Sequence, residues 1–226
     1  MPKLFIILFF SLASWGQDNV ETARELLERG KTPEAEQLLR ALVNSDPGHA
    51  SAHEMLGDIC GRRKNWDCAL EHYGALRKLW PNKAVSHYKY GGALGMKAKN
   101  SNKFRALGMI GDVRSSFERA IALDPKHLEA RWALLELNLQ LPAIAGGSTK
   151  KANQYASELA FLSPVDGCLA HGRIADHLGN VASAEKNYKL AWEKYNSKTG
   201  ARKLAALYRR IDKPQKARAV LAAIGD

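Results

Sequence analysis

The chain has 226 residues, 46% of them hydrophobic and 8% aromatic, which suits one large domain or an extended repeat array with a sizeable core. Lys and Arg outnumber Asp and Glu by 34 to 23, a net charge of +11. That balance favours acidic partners without choosing among protein, lipid headgroup and nucleic acid, and a lysine-rich, solvated helix exterior is the alternative source of it.

The chain opens with residues that do not belong to a fold. Lys3 gives a positive start, residues 4–10 are an unbroken apolar run, and the small residues Ser14 and Gly16 precede a cleavage point before Gln17. The largely apolar stretch is 12 residues long (4–15), whereas a membrane crossing needs about 20. Residues 1–16 therefore read as an export signal that is removed, with an uncleaved anchor as the other reading. No later segment is apolar for long enough to span a bilayer. Residues 17–226 are expected to be exported, to a periplasm or the extracellular space.

Beyond residue 16 the chain repeats itself. Gly57, Ala69, Tyr73 and Pro81 return as Gly172, Ala184 and Tyr188, followed by Ala191. Prolines at 47, 81, 125 and 164 fall 34, 44 and 39 residues apart, and Ala184 and Ala217 are 33 apart. Each unit reads as two antiparallel amphipathic helices. Gly57 is expected to face Ala69, and Gly172 to face Ala184, so that the backbones approach closely. Leu39, Tyr73, Phe117, Tyr188 and Leu221 are expected to fill the space to the next unit. Gly30 and Gly179 suit the left-handed turn between helices, and each proline closes a second helix. One such pair cannot bury its apolar face alone, so neighbours stack.

These residues resemble the tetratricopeptide repeat (TPR) family over nearly the whole chain after residue 16. The resemblance implies an all-α, right-handed solenoid of antiparallel helix pairs, five to six repeats long. Five fall at about 17–49, 50–83, 84–127, 128–164 and 165–197, with a sixth at 198–226. Leu135 and Val113 stand where the family uses small residues. Two units are too long, which predicts longer loops near 97–107 and 141–147. The second of these, with Pro142, Ile144, Gly146, Gly147 and Ser148, resembles a Pro-x-Ile-x-Gly-Gly-Ser loop of exported bacterial TPR proteins. It is also weakly similar to one in the TRAP-transporter-associated T component. Locally, Pro142 stops a helix, the glycines turn the chain, and Ser148 caps the next helix.

Outside a reducing cytosol the cysteines can pair. Cys60 and Cys68 flank a predicted turn. A bridge across one hairpin and two separate thiols both fit, and Cys168 is left over as a small buried residue.

Tests for chemistry return little. Seven histidines are present, but there is no His-Glu-x-x-His and no Cys-x-x-Cys, so no metal site is read. Gly146, Gly147 and Lys150 lack the order of a phosphate loop. Glu129 and Glu136 share a predicted helix face, with nothing to specify a carboxylate enzyme around them. The expectation is no enzyme and no cofactor.

For TPR arrays the family implies a concave groove lined by the first helix of each unit. That phase puts Glu54, Asp58 and Tyr88 in the groove, then Trp132, Glu136 and Gln140, then Arg173, Asp176 and His177, and last Arg202 and Arg209. The mixture of aromatics and both charge signs suits a protein or peptide partner, although Tyr88 and Trp132 can equally be packing residues. Gly91, Gly92 and Gly95 either thin the groove wall or allow helices to pack closely. A basic stretch over 198–218 offers an anionic partner a dock, or is the polar outer face an end unit needs. No nucleic-acid motif accompanies it, and association with a membrane surface stays open without a feature to support it. The expected function is an exported scaffold binding a protein or peptide, with a periplasmic small-ligand or transporter-associated protein as the alternative.

Overall fold

The computed structural model describes residues 10–225. Among them are twelve α-helices, one 3-10 turn and no strand. The helices form consecutive antiparallel pairs: α1 (Phe10–Glu28) with α2 (Thr32–Ser45), α3 (Ala50–Arg62) with α4 (Trp66–Leu79), and α5 (Ala84–Lys99) with α6 (Lys103–Leu123). After these come α7 (Leu128–Gln140) with α8 (Thr149–Leu162), α9 (Pro164–His177) with α10 (Val181–Glu193), and α11 (Lys198–Arg210) with α12 (Pro214–Ala222). The pairs begin within about a residue of the expected repeat starts from residue 50 onward. The chain divides after Leu123 into two compact units of three pairs each. Residues 1–9 of the expected export segment lie outside the described residues, and α1 runs through Gln17. No helix among the described residues is long and apolar enough to cross a membrane.

The turn inside a pair is built from backbone alone. Gly30, Lys64, Gly179 and Asp212 adopt φ of 75°, 58°, 74° and 55°. The N–H of the following residue then bonds a carbonyl five positions back: Lys31 to Leu26, Asn65 to Cys60, Asn180 to Ala175 and Lys213 to Tyr208, at 2.8–3.0 Å. This is the six-to-one closure of a helix end by a left-handed residue. Gly30 and Gly179 were legible in it; Lys64 and Asp212 take the same geometry with a side chain.

The histidines and hydroxyl residues start the helices. His49 and His127 accept from the Ala52 and Ala130 N–H groups through Nδ1. Asn65, Ser148, Ser163, Asn180 and Ser197 cap α4, α8, α9, α10 and α11. Each satisfies a donor that the first turn leaves without a partner.

Packing inside the pairs adds a contact to the expectation. Gly57 is covered by Tyr73: a β-carbon on it would stand 2.4 Å from that ring. Gly172 is covered by Tyr188 at 2.5 Å, and Gly91 by Ser116 and Phe117 at 2.8 and 3.2 Å. The aromatics expected to fill the space to the next unit thus also lie on the glycine of their own first helix: Tyr73 shares a cluster with Ala93 of α5, and Tyr188 one with Leu204 of α11. Ala69, Ala184 and Tyr188 are buried within the same clusters. Leu135 and Val113 are fully buried in place of small residues.

The two long units also resolve differently from each other. Residues 97–107 are not a long loop: α5 runs to Lys99 and α6 starts at Lys103, so the extra residues lengthen both helices. Residues 141–147 do form the connection, through a 3-10 turn (Ala143–Ala145) and Gly146 at φ 83°. Gly147 has no room for a side chain there, since a β-carbon would meet the Leu141 carbonyl oxygen at 1.8 Å.

Candidate functional site

Acids on one first helix meet bases on the next, one repeat length along the chain. In the first unit Lys89 of α5 reaches Asp58 of α3 at 2.5 and 2.7 Å and Glu54 at 3.1 Å. Asp58 also accepts from the Tyr73 hydroxyl at 2.6 Å. Burial and that bond hold the Tyr73 phenol above its ordinary range. Glu54 and Asp58 line a cavity of about 270 Å³ with Arg24 and Leu27 of α1 and Ser51, Met55 and Arg62 of α3. Its wall therefore combines two acids already engaged by Lys89, two exposed guanidinium-bearing residues and two apolar side chains.

In the second unit the same pattern recurs. Arg173 of α9 grips Glu136 of α7 with two bonds of 2.8 and 2.9 Å, the two-pronged geometry in which Arg binds carboxylates best. Gln140 donates to Glu136 at 3.1 Å. Asp176 of α9 pairs with Arg210 of α11. His177, Arg202 and Arg209 are exposed. Tyr188 lies near these charges, and burial keeps its phenol above the ordinary range. Tyr208 is pushed up to about 12 by burial and by its hydrogen bond to Glu185.

Tyr88 and Trp132 belong to the packing. The Tyr88 ring lies 5.9 Å from Phe117, tilted by 47°. The Trp132 indole N–H donates to Asp166 at 2.7 Å, tying α7 to α9, and its ring packs on two core clusters. Gly91 serves close helix packing, while Gly92 has open space beside it. Glu129 pairs with His127 and Glu136 with Arg173, so the two carboxylates each have a separate partner.

A second hollow, open, mainly apolar and about 600 Å³, lies between Pro125, Lys126 and Arg131 and the α8 residues Gln154, Ser157, Glu158, Phe161 and Leu162. None of the expected groove residues lines it. Neither cavity is lined by residues 141–147, where Ile144 is 99% exposed.

Lys89, Arg24, Met55 and Arg62 are the residues that sequence reasoning missed. A signal for Lys89 existed: it stands 31 residues after Asp58, about one repeat, with opposite charge. A further cluster lies beside α3 and α4. Cys60 and Cys68 are joined by a disulfide with Cα atoms 5.8 Å apart, and donor atoms of Cys60, Cys68 and His72 all lie within 4.8 Å of one another. Cys168 is half-buried and free, its thiol pushed up by burial.

Residues 20–94 match the tetratricopeptide repeat family model. The chain is similar, at 33% identity over 93 residues, to the protein O-mannosyl-transferase Tmtc2 of Drosophila melanogaster. That match covers 39% of this chain and only 9% of the relative. Among solved structures, a tetratricopeptide repeat protein from Parabacteroides merdae superposes with a TM-score of 0.67 at 17% identity, covering 92% of this chain and 78% of that one. A thermophilic TPR protein of Thermus thermophilus does so with 0.64 at 15%, covering 92% and 99%. PilW, a type IV pilus biogenesis factor, gives 0.68 at 17%, covering 92% and 91%. Residues 20–94 thus carry tetratricopeptide repeats, and the helix pairs after them share the tetratricopeptide repeat fold.

Proposed function

We propose that this protein is an exported, non-catalytic scaffold that binds an extended protein or peptide segment, with the α1–α3 cavity of the first unit as the seat. The observation that supports this most is the make-up of that cavity. Leu27 and Met55 offer an apolar floor for one side chain of the partner, and Arg62 offers donors to its carboxylates or backbone carbonyls, while Arg24 already pairs with Glu21 at 2.7 Å. Lys89 reaches both Glu54 and Asp58 and offsets one of their two negative charges. Arg62 beside them balances the remaining negative charge, which leaves the seat open to a neutral or acidic segment, in keeping with the net charge of +11. Export rests on the N-terminal pattern of Lys3, the apolar run and Gly16.

Selection from a random peptide library against the purified protein tests the reading. Enriched peptides should bind saturably, lose at least tenfold in affinity with Arg62→Glu, and be unaffected by Arg209→Glu. Failure to enrich any sequence, or equal binding by both variants, would count against the cavity. Cell fractionation that leaves the chain unprocessed in the cytoplasm would remove the exported part of the proposal.

A further inference from the structure

We propose that Cys60, Cys68 and His72 form a redox-gated site for a thiophilic d10 cation, with Zn²⁺ as the representative ion: closed as a disulfide, open to metal when reduced.

The hairpin turn brings the ligands together. Cys68 and His72 are four residues apart on α4 and share a face, while Cys60 sits on the last turn of α3 across the tight turn at Lys64. The three donor atoms lie within 4.8 Å of one another. Metal bonds of about 2.3 Å to sulfur and 2.0–2.1 Å to nitrogen place tetrahedral ligands roughly 3.5–3.8 Å apart, so breaking the S–S bond leaves the sulfurs only a small rearrangement away. Cys60 and His72 are buried and Cys68 is partly so, which shields two ligands and leaves one edge open to an incoming ion.

A second histidine decides which nitrogen of His72 is free to bind. The His53 Nε2 faces the Pro47 carbonyl oxygen at 3.1 Å; a carbonyl only accepts, so that nitrogen carries hydrogen. Neutral His53 then has a bare Nδ1, which faces His72 Nδ1 at 3.1 Å. His72 must donate there, and its lone pair is left on Nε2. A ligand histidine whose other ring N–H is held by a hydrogen bond is the usual arrangement at metal sites.

The chemistry balances with a dithiol reductant. The reductant gives two electrons and two protons to the bridge, the Cys60–Cys68 bond breaks into two thiols, and the reductant closes its own disulfide. Binding the cation releases the two thiol protons to solvent and forms two sulfur–metal bonds, while His72 gives its Nε2 lone pair and keeps its Nδ1–H on His53. The fourth position is left to solvent.

The test is Co²⁺ titration of the purified protein before and after anaerobic reduction, with Zn²⁺ as competitor. The reduced protein should show sulfur-to-cobalt charge transfer and the intense visible bands of tetrahedral cobalt. These should saturate at one equivalent, be bleached by Zn²⁺, and be absent before reduction and in Cys68→Ser. His72→Ala should weaken binding at least tenfold, and Cys168→Ser should change nothing. If reduction lowers the helical circular dichroism, Zn²⁺ should restore it by linkage. A reduced protein that gives only the weak aqua-cobalt spectrum overturns the proposal. So do bands that survive Cys68→Ser, or helicity that Zn²⁺ fails to restore.

Discussion

Tyr188 lies over Gly172 so closely that a β-carbon on the glycine would stand 2.5 Å from the ring's Cε1. Tyr188 is 1% exposed, so the ring has nowhere to go. Gly172→Ala should therefore destabilise the second unit by about 1–3 kcal/mol through overpacking, despite alanine's better helix propensity of about 1 kcal/mol. Gly92→Ala, with open space at the same kind of helix position, should gain about 0.5–1 kcal/mol. Urea unfolding of the two variants checks this; shifts of the same sign would contradict it.

Lys64 and Asp212 hold left-handed backbone angles that Gly30 and Gly179 adopt without a side chain. The left-handed region costs an ordinary residue roughly 1–2 kcal/mol. Lys64→Gly and Asp212→Gly should each raise the melting temperature slightly, and Gly179→Ala should lower it. Differential scanning calorimetry on the three variants reads the effect directly.

Trp132→Phe keeps most of the ring and deletes the indole N–H that reaches Asp166. Bonds to charged acceptors contribute about 1.5–3 kcal/mol, discounted here because the tryptophan is only partly buried. A loss of about 1 kcal/mol in the isolated protein is expected, with peptide affinity unchanged. Unchanged stability together with lost binding would return Trp132 to the groove.

Glu36 sits between Arg40 and Arg63, at 2.8 and 2.5 Å. Partial burial raises its carboxyl, but the two guanidinium groups outweigh that and hold it below the ordinary 4.5. A depressed acid contributes stability above its unfolded value and loses it as pH falls through the folded one. The wild type should lose more stability than Glu36→Gln between pH 6 and pH 3, as thermal melts at both pH values would show. An equal loss would mean the carboxylate is not engaged in solution.

The helix pairs were legible because their causes are local: proline stops, glycine in turns, and apolar periodicity each act within a few residues. The capping role of Ser148 and the turn at Gly146 were readable for the same reason. What lay beyond reach was which small residue a ring covers, since Tyr73 and Gly57 are 16 positions apart and meet only once two helices have packed. The extra residues near 97–107 looked like a loop because the unit is longer than its neighbours and Asn100, Ser101 and Asn102 weaken helix propensity, yet only those three residues leave the helices α5 and α6. The pairing of Cys60 with Cys68 was one of two readings of the turn between them, but His72 beside them was missed because familiar metal motifs place paired cysteines only a few residues apart, whereas these are separated by 8.

The ion pairs between successive first helices set a condition on any charged visitor. A carboxylate arriving at Arg173 finds Glu136 already in both forks of the guanidinium, and one arriving at Lys89 finds two acids there before it. Such a visitor exchanges one carboxylate for another instead of adding a bond. Affinity at those positions should respond to ionic strength far less than the formal charge of the chain suggests, and discrimination among ligands will fall to the cations no neighbour holds and to shape.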